Sequence, residues 1–338
     1  MSDTYQIVLN YLRTRFPIKV ILVIRLMFGH YFSFNCRKLY LNLSKLYCIV
    51  FALFCPFYIY VIVPITNLRV TVVLFDFFVG ICMSLFVEDK CFREYYAAVK
   101  NSHRAFGFGH IKLGSFSCLL FFVIVINRTV IHVLNVIFAK SLRWRAVSVL
   151  SIVVSSIDFN GIMRIYIFNV LYDDMTCLGN YFKNIFNQGS DDDNRVLRVK
   201  HALLLYKKLL NNMKFLNKIQ ATVIIKHLFK FRFYRTDNLC LFALEVVQAI
   251  SIVFTPVFFM ELAHNEANDI SIILHNQLSR CRDENLRVAV SRGIRYIQLR
   301  PFQYIIYRVI PVDSSLSVSF IAMFFTYSFI VLQLHKFI

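Results

Sequence analysis

Ser315-Leu-Ser-Val-Ser-Phe-Ile-Ala-Met-Phe-Phe-Thr-Tyr-Ser-Phe-Ile-Val-Leu-Gln-Leu-His-Lys-Phe-Ile338 is the stretch that decides the fold. No charge occurs before His335, so the run is long enough to predict a membrane-spanning helix. Thr326 and Gln333 are seven residues apart, about two helical turns, and their side chains share one face. A polar stripe on an apolar span is expected to face protein or water. The stretch therefore predicts a helix that meets copies of itself or lines a pore.

The composition of the whole chain is that of a membrane protein. Of its 338 residues, 58% are hydrophobic, 16% aromatic and only 17% charged. The mean hydropathy is +0.59, which lies outside the range usual for soluble domains. We therefore expect an all-α polytopic bundle that forms a single domain over residues 1–338.

The net charge of +19 does not indicate nucleic-acid binding in this setting. Polytopic proteins collect Lys and Arg in their cytoplasmic loops, and the basic residues here cluster between apolar segments. The nine cysteines are scattered without a Cys-x-x-Cys pair, so neither a disulfide framework nor a metal site is expected. Hydrolase, phosphate-binding and zinc-protease motifs are missing too, which predicts a protein that is not an enzyme and needs no cofactor.

Six segments are apolar and long enough to cross a membrane. They are 43–64, 70–88, 114–139, 145–172, 239–262 and 315–335, with cytosolic helical regions predicted at 173–238 and 263–314. Residues 17–34 are also apolar but contain Lys19, Arg25 and His30. Because a charge near the middle of a span costs about 2.5–3.5 kcal/mol on insertion, an interfacial or re-entrant helix is favoured there over a full crossing.

The distribution of basic residues predicts a cytoplasmic N-terminus but leaves one crossing unaccounted for. Seven Lys and Arg lie in 1–45, five in 89–113 and twelve in 172–238, which places all three regions inside. Span 239–262 would then leave 263–314 outside, although that segment carries seven Arg. The best candidate for a compensating span, 219–235, is short and interrupted by five basic residues. The fifth span of the bundle is therefore expected to be short or missing.

Several ionisable and amide side chains lie inside the predicted spans. Asp158 and Arg164 are six residues apart, which is unsuitable for a pair on one helix face, so each is expected to find a partner on another helix. Arg128 is the predicted partner of Asp158. Asp76 and Glu245 either line a cavity or pair with Arg25 or Arg128, and the sequence does not decide between these alternatives.

Three stretches resemble a known family. Thr326-Tyr327, five mostly apolar residues and then Gln333 resembles the terminal signature of insect gustatory receptors, with Leu334 where the family has Phe. Leu299-Arg-Pro-Phe-Gln-Tyr304 and Glu261-Leu-Ala-His-Asn-Glu-Ala-Asn268 resemble the approach to the final helix and the stretch after the penultimate span. The resemblance is specific over roughly residues 240–335.

The resemblance implies a ligand-gated cation channel in the plasma membrane, made of four identical or related subunits. On family logic Thr326, Tyr327 and Gln333 would hold or line the pore, and a small-molecule tastant would bind within each subunit. Bitter compounds are the expected class, because no stretch resembles the sugar or carbon dioxide branches. Asn127, Asp158, Arg164 and Tyr166 are the candidate pocket residues, and a fold-holding ion pair is the alternative role for this group.

The sequence leaves two other functional classes open. The family has seven spans, so a missing fifth span would make this chain a non-conducting or degenerate receptor subunit. An unrelated transporter or membrane enzyme would need inverted repeats or a polar catalytic cluster at mid-membrane, and the sequence has neither.

Overall fold

A computed structural model describes the chain over 18–33, 38–62, 68–88, 94–95, 97, 115–138, 144–187, 192–230, 239–303, 305–306, 310–311 and six single positions beyond 314. Its helices are α1 (Ile18–Met27), α2 (Lys38–Ile62), α3 (Leu68–Met83), α4 (Ser115–Phe138), α5 (Trp144–Asn187), α6 (Asp192–Lys230), α7 (Leu239–Arg280) and α8 (Glu284–Leu299). The predicted all-α fold class is confirmed.

Two short features were not anticipated from the sequence. A π-helical turn, Ser84–Glu88, follows α3. Strands β1 (Ile305–Ile306) and β2 (Ile310–Pro311) pair antiparallel, with Ile305 opposite Pro311. This ladder is only two residues long on each strand, and it leaves the helical character of the chain unchanged.

Four helices within the described residues are long and apolar enough to cross a membrane. These segments are Lys38–Ile62, Cys118–Ile137, Arg145–Asn187 and Ala243–Arg280, and Val73–Phe86 is a shorter apolar helix. On α2, the buried residues Cys48, Ala52, Cys55 and Ile59 follow helical spacing and form one face. Leu53, Phe57 and Tyr60 are exposed on the other side, as expected of a helix that faces lipid. The protein is a polytopic membrane protein.

Helix α5 is the most deeply enclosed element. Every residue from Asn160 to Leu171 is buried, so this part of the helix is covered on all sides. Its 44 residues span about 66 Å, roughly twice the thickness of a bilayer core. The helix therefore extends well beyond the membrane, and it includes Asp158, Arg164 and Tyr166.

The chain divides into two compact units. Unit 1 comprises Met1–Glu94, Lys112–Ile167 and Ala221–Thr255, and unit 2 comprises Tyr95–Ile111, Phe168–Gln220 and Pro256–Ile338. Helices α5, α6 and α7 contribute residues to both. The predicted weak span 219–235 overlaps the end of α6, whose residues from Ala221 onward belong to unit 1. The single polytopic domain and its span boundaries stay predictions.

In unit 1, α1 ends at a glycine that its surroundings require. Gly29 has φ +85°, a left-handed conformation, and a Cβ there would lie 2.4 Å from Cδ1 of Phe51. The turn that follows places His30 and Tyr31 in the interior, where they are 2% and 3% exposed. The predicted interfacial segment 17–34 therefore has its polar residues Arg25 and His30 buried in protein.

In unit 2, α6 and α8 pack through Tyr206. Its hydroxyl donates to the carbonyl of Arg300 at 3.1 Å, and its ring meets that of Tyr296 edge-on at 6.3 Å. One turn earlier on each helix, a Cβ at Gly293 would lie 3.2 Å from Leu203, so the small residue permits this close approach. Burial raises the pKa of the Tyr206 phenol above its ordinary value.

Candidate functional site

Arg128 on α4 connects three helices of unit 1. Its Nε lies 2.5 Å from Oδ2 of Asp158 on α5, and its Nη1 lies 2.8 Å from Oε1 of Glu245 on α7. The side chains are only 11%, 5% and 11% exposed, respectively. The predicted pairing of Arg128 with Asp158 is confirmed, and Glu245 is a second carboxylate on the same guanidinium.

Two amides complete this group. Gln248 donates through Nε2 to Oδ2 of Asp158 at 3.2 Å and to the carbonyl of Ile124 at 3.1 Å. Asn127 donates through Nδ2 to Oε1 of Gln248 at 2.8 Å and to the carbonyl of Leu244 at 3.3 Å. Asn127, Arg128, Asp158, Glu245 and Gln248 are called the polar cluster below. The hydrogen bonds fix the orientation of both amides, because each NH₂ group faces two acceptors.

A glycine allows the helices beside the polar cluster to approach each other. A Cβ at Gly161, three residues beyond Asp158 on α5, would lie 2.3 Å from Cγ2 of Ile252 on α7. Small residues at such crossings let helix backbones come close, which is how helices pack in a membrane. The position of Gly161 therefore helps to set the distance over which Arg128 spans both carboxylates.

A second set of polar contacts joins the α1 region to α5. Arg25 donates through Nη2 to Oδ1 of Asn160 at 2.9 Å. Ser156 donates its hydroxyl to the carbonyl of Phe28 at 2.8 Å, and Nε2 of His30 lies 3.0 Å from both the hydroxyl and the carbonyl of Ser156. The hydroxyl of Ser156 donates its hydrogen to the carbonyl of Phe28, and the carbonyl of Ser156 can only accept a hydrogen bond. Nε2 of His30 must therefore carry the proton that it donates to Ser156.

The four predicted pocket residues are brought together only in part. Asn127 and Asp158 belong to the polar cluster and are joined through Gln248. Arg164 and Tyr166 are buried further along α5, about 9 Å and about 12 Å from Asp158 along the helix axis. Their role in binding a ligand stays a prediction.

The predicted pore residues are described at two of three positions. Thr326 is helical and exposed, and its hydroxyl donates to the carbonyl of Ala322 at 2.9 Å. Gln333 is also helical and exposed in the single chain. Tyr327 lies outside the described residues. The exposure of Thr326 and Gln333 leaves both side chains available to a neighbouring subunit or to water.

Sequence reasoning missed Gln248, His30 and Ser156 as members of polar contacts. Glu245 and Gln248 are three residues apart on α7 and so share a helix face, which is a signal that could have placed Gln248 in the same polar group as Glu245. Ser156 gives no such signal, because a serine in an apolar helix commonly bonds its own backbone. Its contact with His30 joins residues 126 positions apart.

The chemistry of the polar cluster is that of a buried ion pair in a low-dielectric setting. One guanidinium faces two carboxylates, and the amides supply further donors to Asp158. Such charges are retained inside membranes where they pair with each other or border a wet cavity. Among the described residues no group of three or more His, Cys, Asp and Glu is arranged to hold a metal ion.

Comparison with known proteins gives a match at the level of structure. No family model matches the sequence, and no curated protein sequence matches it. The solved structure of the insect olfactory receptor OR5 from Machilis hrabei superposes with a TM-score of 0.62 at 13% identity, covering 94% of this chain and 97% of the receptor.

The chain has the fold of an insect olfactory receptor. A second structure of OR5, in complex with eugenol, gives a TM-score of 0.61 and covers 96% of this chain and 99% of the receptor at 13% identity. The chemoreceptor fold that the terminal signature implies is therefore confirmed over nearly the whole length. Four of the described helices are long and apolar enough to cross a membrane, which agrees with the apolar composition of the chain.

Proposed function

We propose that this protein is a subunit of a ligand-gated cation channel that detects small molecules. The observation that carries the proposal is the olfactory-receptor fold, shared over nearly the full length of both chains. A related protein of that fold has been solved with eugenol, a small aromatic compound. A fold does not by itself fix an activity, so the argument also rests on the residues of this chain.

The polar cluster supports a ligand-sensing role for unit 1. It joins α4, α5 and α7 through charges that are expensive to bury unless they keep their partners. A ligand that engages Asn127 or Asp158 would compete with these contacts and shift the three helices relative to one another. Arg164 and Tyr166, enclosed on α5, would form the more deeply buried side of the same pocket.

The terminal helix supports the channel part of the proposal. By resemblance to the gustatory signature, Thr326, Tyr327 and Gln333 would lie at the axis of four subunits, where amide oxygens suit partly dehydrated cations. The subunits would be identical or drawn from related receptors, in the plasma membrane with the N-terminus in the cytoplasm. Tastants, and bitter compounds in particular, are the proposed ligands on the strength of that signature.

A non-conducting subunit is the second candidate function, and α6 is the observation that favours it. Helix α6 is not among the four membrane-capable helices found in the described part of the chain. Its predicted crossing at 219–235 carries five basic residues. A chain that fails to cross there would place its terminal helix in the wrong orientation to complete a pore.

The test is whole-cell recording from cultured cells that express the full chain alone, combined with ligand binding to the purified protein. The expected result is a ligand-evoked cation current, permeable to Na⁺ and K⁺, that Asp158→Asn abolishes, whereas the exposed control Asp269→Asn preserves it. Ligand binding without current would favour the non-conducting subunit. Absence of both for folded, surface-exposed protein across aromatic, alkaloid and terpenoid ligands would contradict the proposal.

A further inference from the structure

Residues 300–303 follow α8 and precede β1, and they are called the linker below. The chain passes through the linker on its way from α8 to the predicted terminal span. The hydroxyl of Tyr206 on α6 donates to the carbonyl of Arg300 at 3.1 Å. Nδ1 of His264 on α7 lies 2.9 Å from the carbonyl of Phe302. Two helices of unit 2 therefore bind the backbone of the linker through side chains.

The side chain of Phe302 fixes the same point of the linker. Phe302 is 1% exposed, and its ring centre lies 6.3 Å from that of Tyr206. A buried backbone carbonyl outside regular structure has lost its bonds to water, so it needs a donor from elsewhere in the protein. His264 supplies this donor across 38 positions of sequence. The imidazole and the aromatic contact thus hold one residue of the linker together.

A second side chain of α7 orients the imidazole of His264. Because a carbonyl can only accept a hydrogen bond, Nδ1 carries the proton that it donates to Phe302. Nε2 then accepts from Nδ2 of Asn268, which is 3.1 Å away and one turn further along the helix. Both ring nitrogens are therefore used, and the ring cannot turn over without losing both hydrogen bonds.

The other histidine of α7 makes a bond of the same type with a different consequence. Nδ1 of His275 lies 2.8 Å from the carbonyl of Ser271, four residues earlier on the same helix. A bond within one helix does not restrain any other part of the chain. His264 differs because its acceptor belongs to the linker.

We propose that His264 is a positioning residue that couples α7 to the linker and so to the start of the terminal segment. Helix α7 contains one of the membrane-capable helices, and movement of its part in unit 2 would carry the carbonyl of Phe302 with it. The effect on current rests on the proposed function, in which the terminal span lines the pore. The anchoring of the linker is a property of the folded chain and is measured without current.

Hydrogen exchange of the purified full-length protein in detergent measures the anchoring. His264→Asn keeps an N–H donor at the place of Nδ1, because both nitrogens are bonded to Cγ, whereas His264→Leu has the branching of asparagine without a donor. Deuterium uptake is followed in the peptides that cover 303–311. His275→Leu is the matched control, since it removes a similar bond from the same helix. Asn268→Ala is a milder variant that keeps the donor but releases the ring.

The effect on the channel is measured by whole-cell recording of the same variants, with current scaled to the amount of protein at the cell surface. The ligands are the members of the aromatic, alkaloid and terpenoid panel that evoke current in the wild type. Binding of the same compounds to purified protein is measured in parallel. A residue that acts on the pore and not on the ligand should change the maximal current and leave the dissociation constant where it was.

His264→Leu should speed exchange at 303–311 about fivefold, the factor expected for the loss of one hydrogen bond, and Asn268→Ala should speed it less. His264→Asn and His275→Leu should match the wild type. The maximal current should fall in His264→Leu with ligand affinity unchanged, and His264→Asn should restore it.

Unchanged exchange in His264→Leu, or equally fast exchange in His264→Asn, would overturn the proposal. Faster exchange throughout unit 2 would also overturn it, because the histidine would then stabilise the fold in general. A loosened linker with wild-type current would remove the coupling role. A wild type that gives no current with any compound would contradict the proposed function, and the exchange experiment would still decide whether His264 positions the linker.

Discussion

Arg128 and Asp158 form an ion pair between α4 and α5, with 2.5 Å between Nε and Oδ2. The guanidinium also reaches Glu245 on α7, so a single side chain holds three helices of unit 1 together. Because all three groups are nearly enclosed, each charge depends on the others for its compensation. The predictions about unit 1 follow from this dependence.

Arg128→Gln should strongly destabilise the protein. The substitution leaves two buried carboxylates without a cation, and the loss of one partner from a buried ion pair typically costs about 3–5 kcal/mol. Thermal unfolding of the purified protein in detergent measures this effect. The exposed control Arg282→Gln should change stability by less than about 0.5 kcal/mol.

Adding Glu245→Gln to Arg128→Gln should restore part of the lost stability, because one uncompensated charge is removed. Coupling of about 0.5–3 kcal/mol is the usual range for residues in one network. Strictly additive effects of the two substitutions would show that Arg128 and Glu245 do not interact.

The contact between Gly161 and Ile252 makes a second prediction. Gly161→Ala should destabilise by about 1–3 kcal/mol, because the new methyl overlaps Cγ2 of Ile252. Combining it with Ile252→Ala should relieve the clash, since Cβ of Ile252 is 3.6 Å away. Gly80→Ala is the matched control, because its Cβ would lie 3.6 Å from Cε1 of His30, an ordinary van der Waals contact. Alanine has a better helix propensity than glycine, so this substitution should leave stability unchanged or raise it by up to about 1 kcal/mol. Equal effects of the two alanines would contradict the close approach of α5 and α7.

Tyr206 should make the protein sensitive to alkali. Burial raises the folded-state pKa of Tyr206 above the ordinary value of 10.0, so the unfolded chain loses this proton first as the pH rises. The stabilising contribution is complete below about pH 10 and is lost above it, with a slope of up to about 1.4 kcal/mol per pH unit. Between pH 9 and 11, the free energy of unfolding should fall less steeply with pH for Tyr206→Phe than for the wild type. Parallel curves would mean that Tyr206 does not contribute.

Gln333→Ala should change the relative permeability of the channel to Na⁺ and K⁺, because the proposed position places this amide beside permeating ions. Reversal potentials in mixed salt solutions measure the change. Gln298→Ala, which removes an exposed amide from α8, should leave the reversal potential where it was. An unaltered reversal potential in Gln333→Ala channels would remove Gln333 from the pore.

The sequence was sufficient for the fold class and for one central contact. Apolar runs and the terminal signature predicted a helical membrane bundle, and the spacing of Asp158 and Arg164 directed attention to a partner on another helix. Arg128 was that partner because opposite charges inside spans must pair. The same reasoning left Glu245 undecided, since two cations were available to it.

Other contacts depend on packing that periodicity does not encode. Gly161 has no side chain to signal its role, and only the crossing of α5 with α7 shows that a Cβ would collide there. The contact of His30 with Ser156 depends on the turn at Gly29, which redirects the chain after α1. Helix α6 runs without interruption from Asp192 to Lys230. Its basic residues interrupt the apolar pattern, so hydropathy alone did not show the full length of this helix.

Membrane topology tests the central claim most directly, because a conducting subunit of this fold must place its terminal helix across the membrane in the right direction. Glycosylation and cysteine-accessibility tags would be placed in the loop between α7 and α8, residues 281–283, and after Ile338 of the expressed chain. The account predicts a cytosolic loop and an external C-terminus, which requires α6 to complete a crossing. An external loop with a cytosolic C-terminus would contradict it and leave a receptor relative that cannot form the pore.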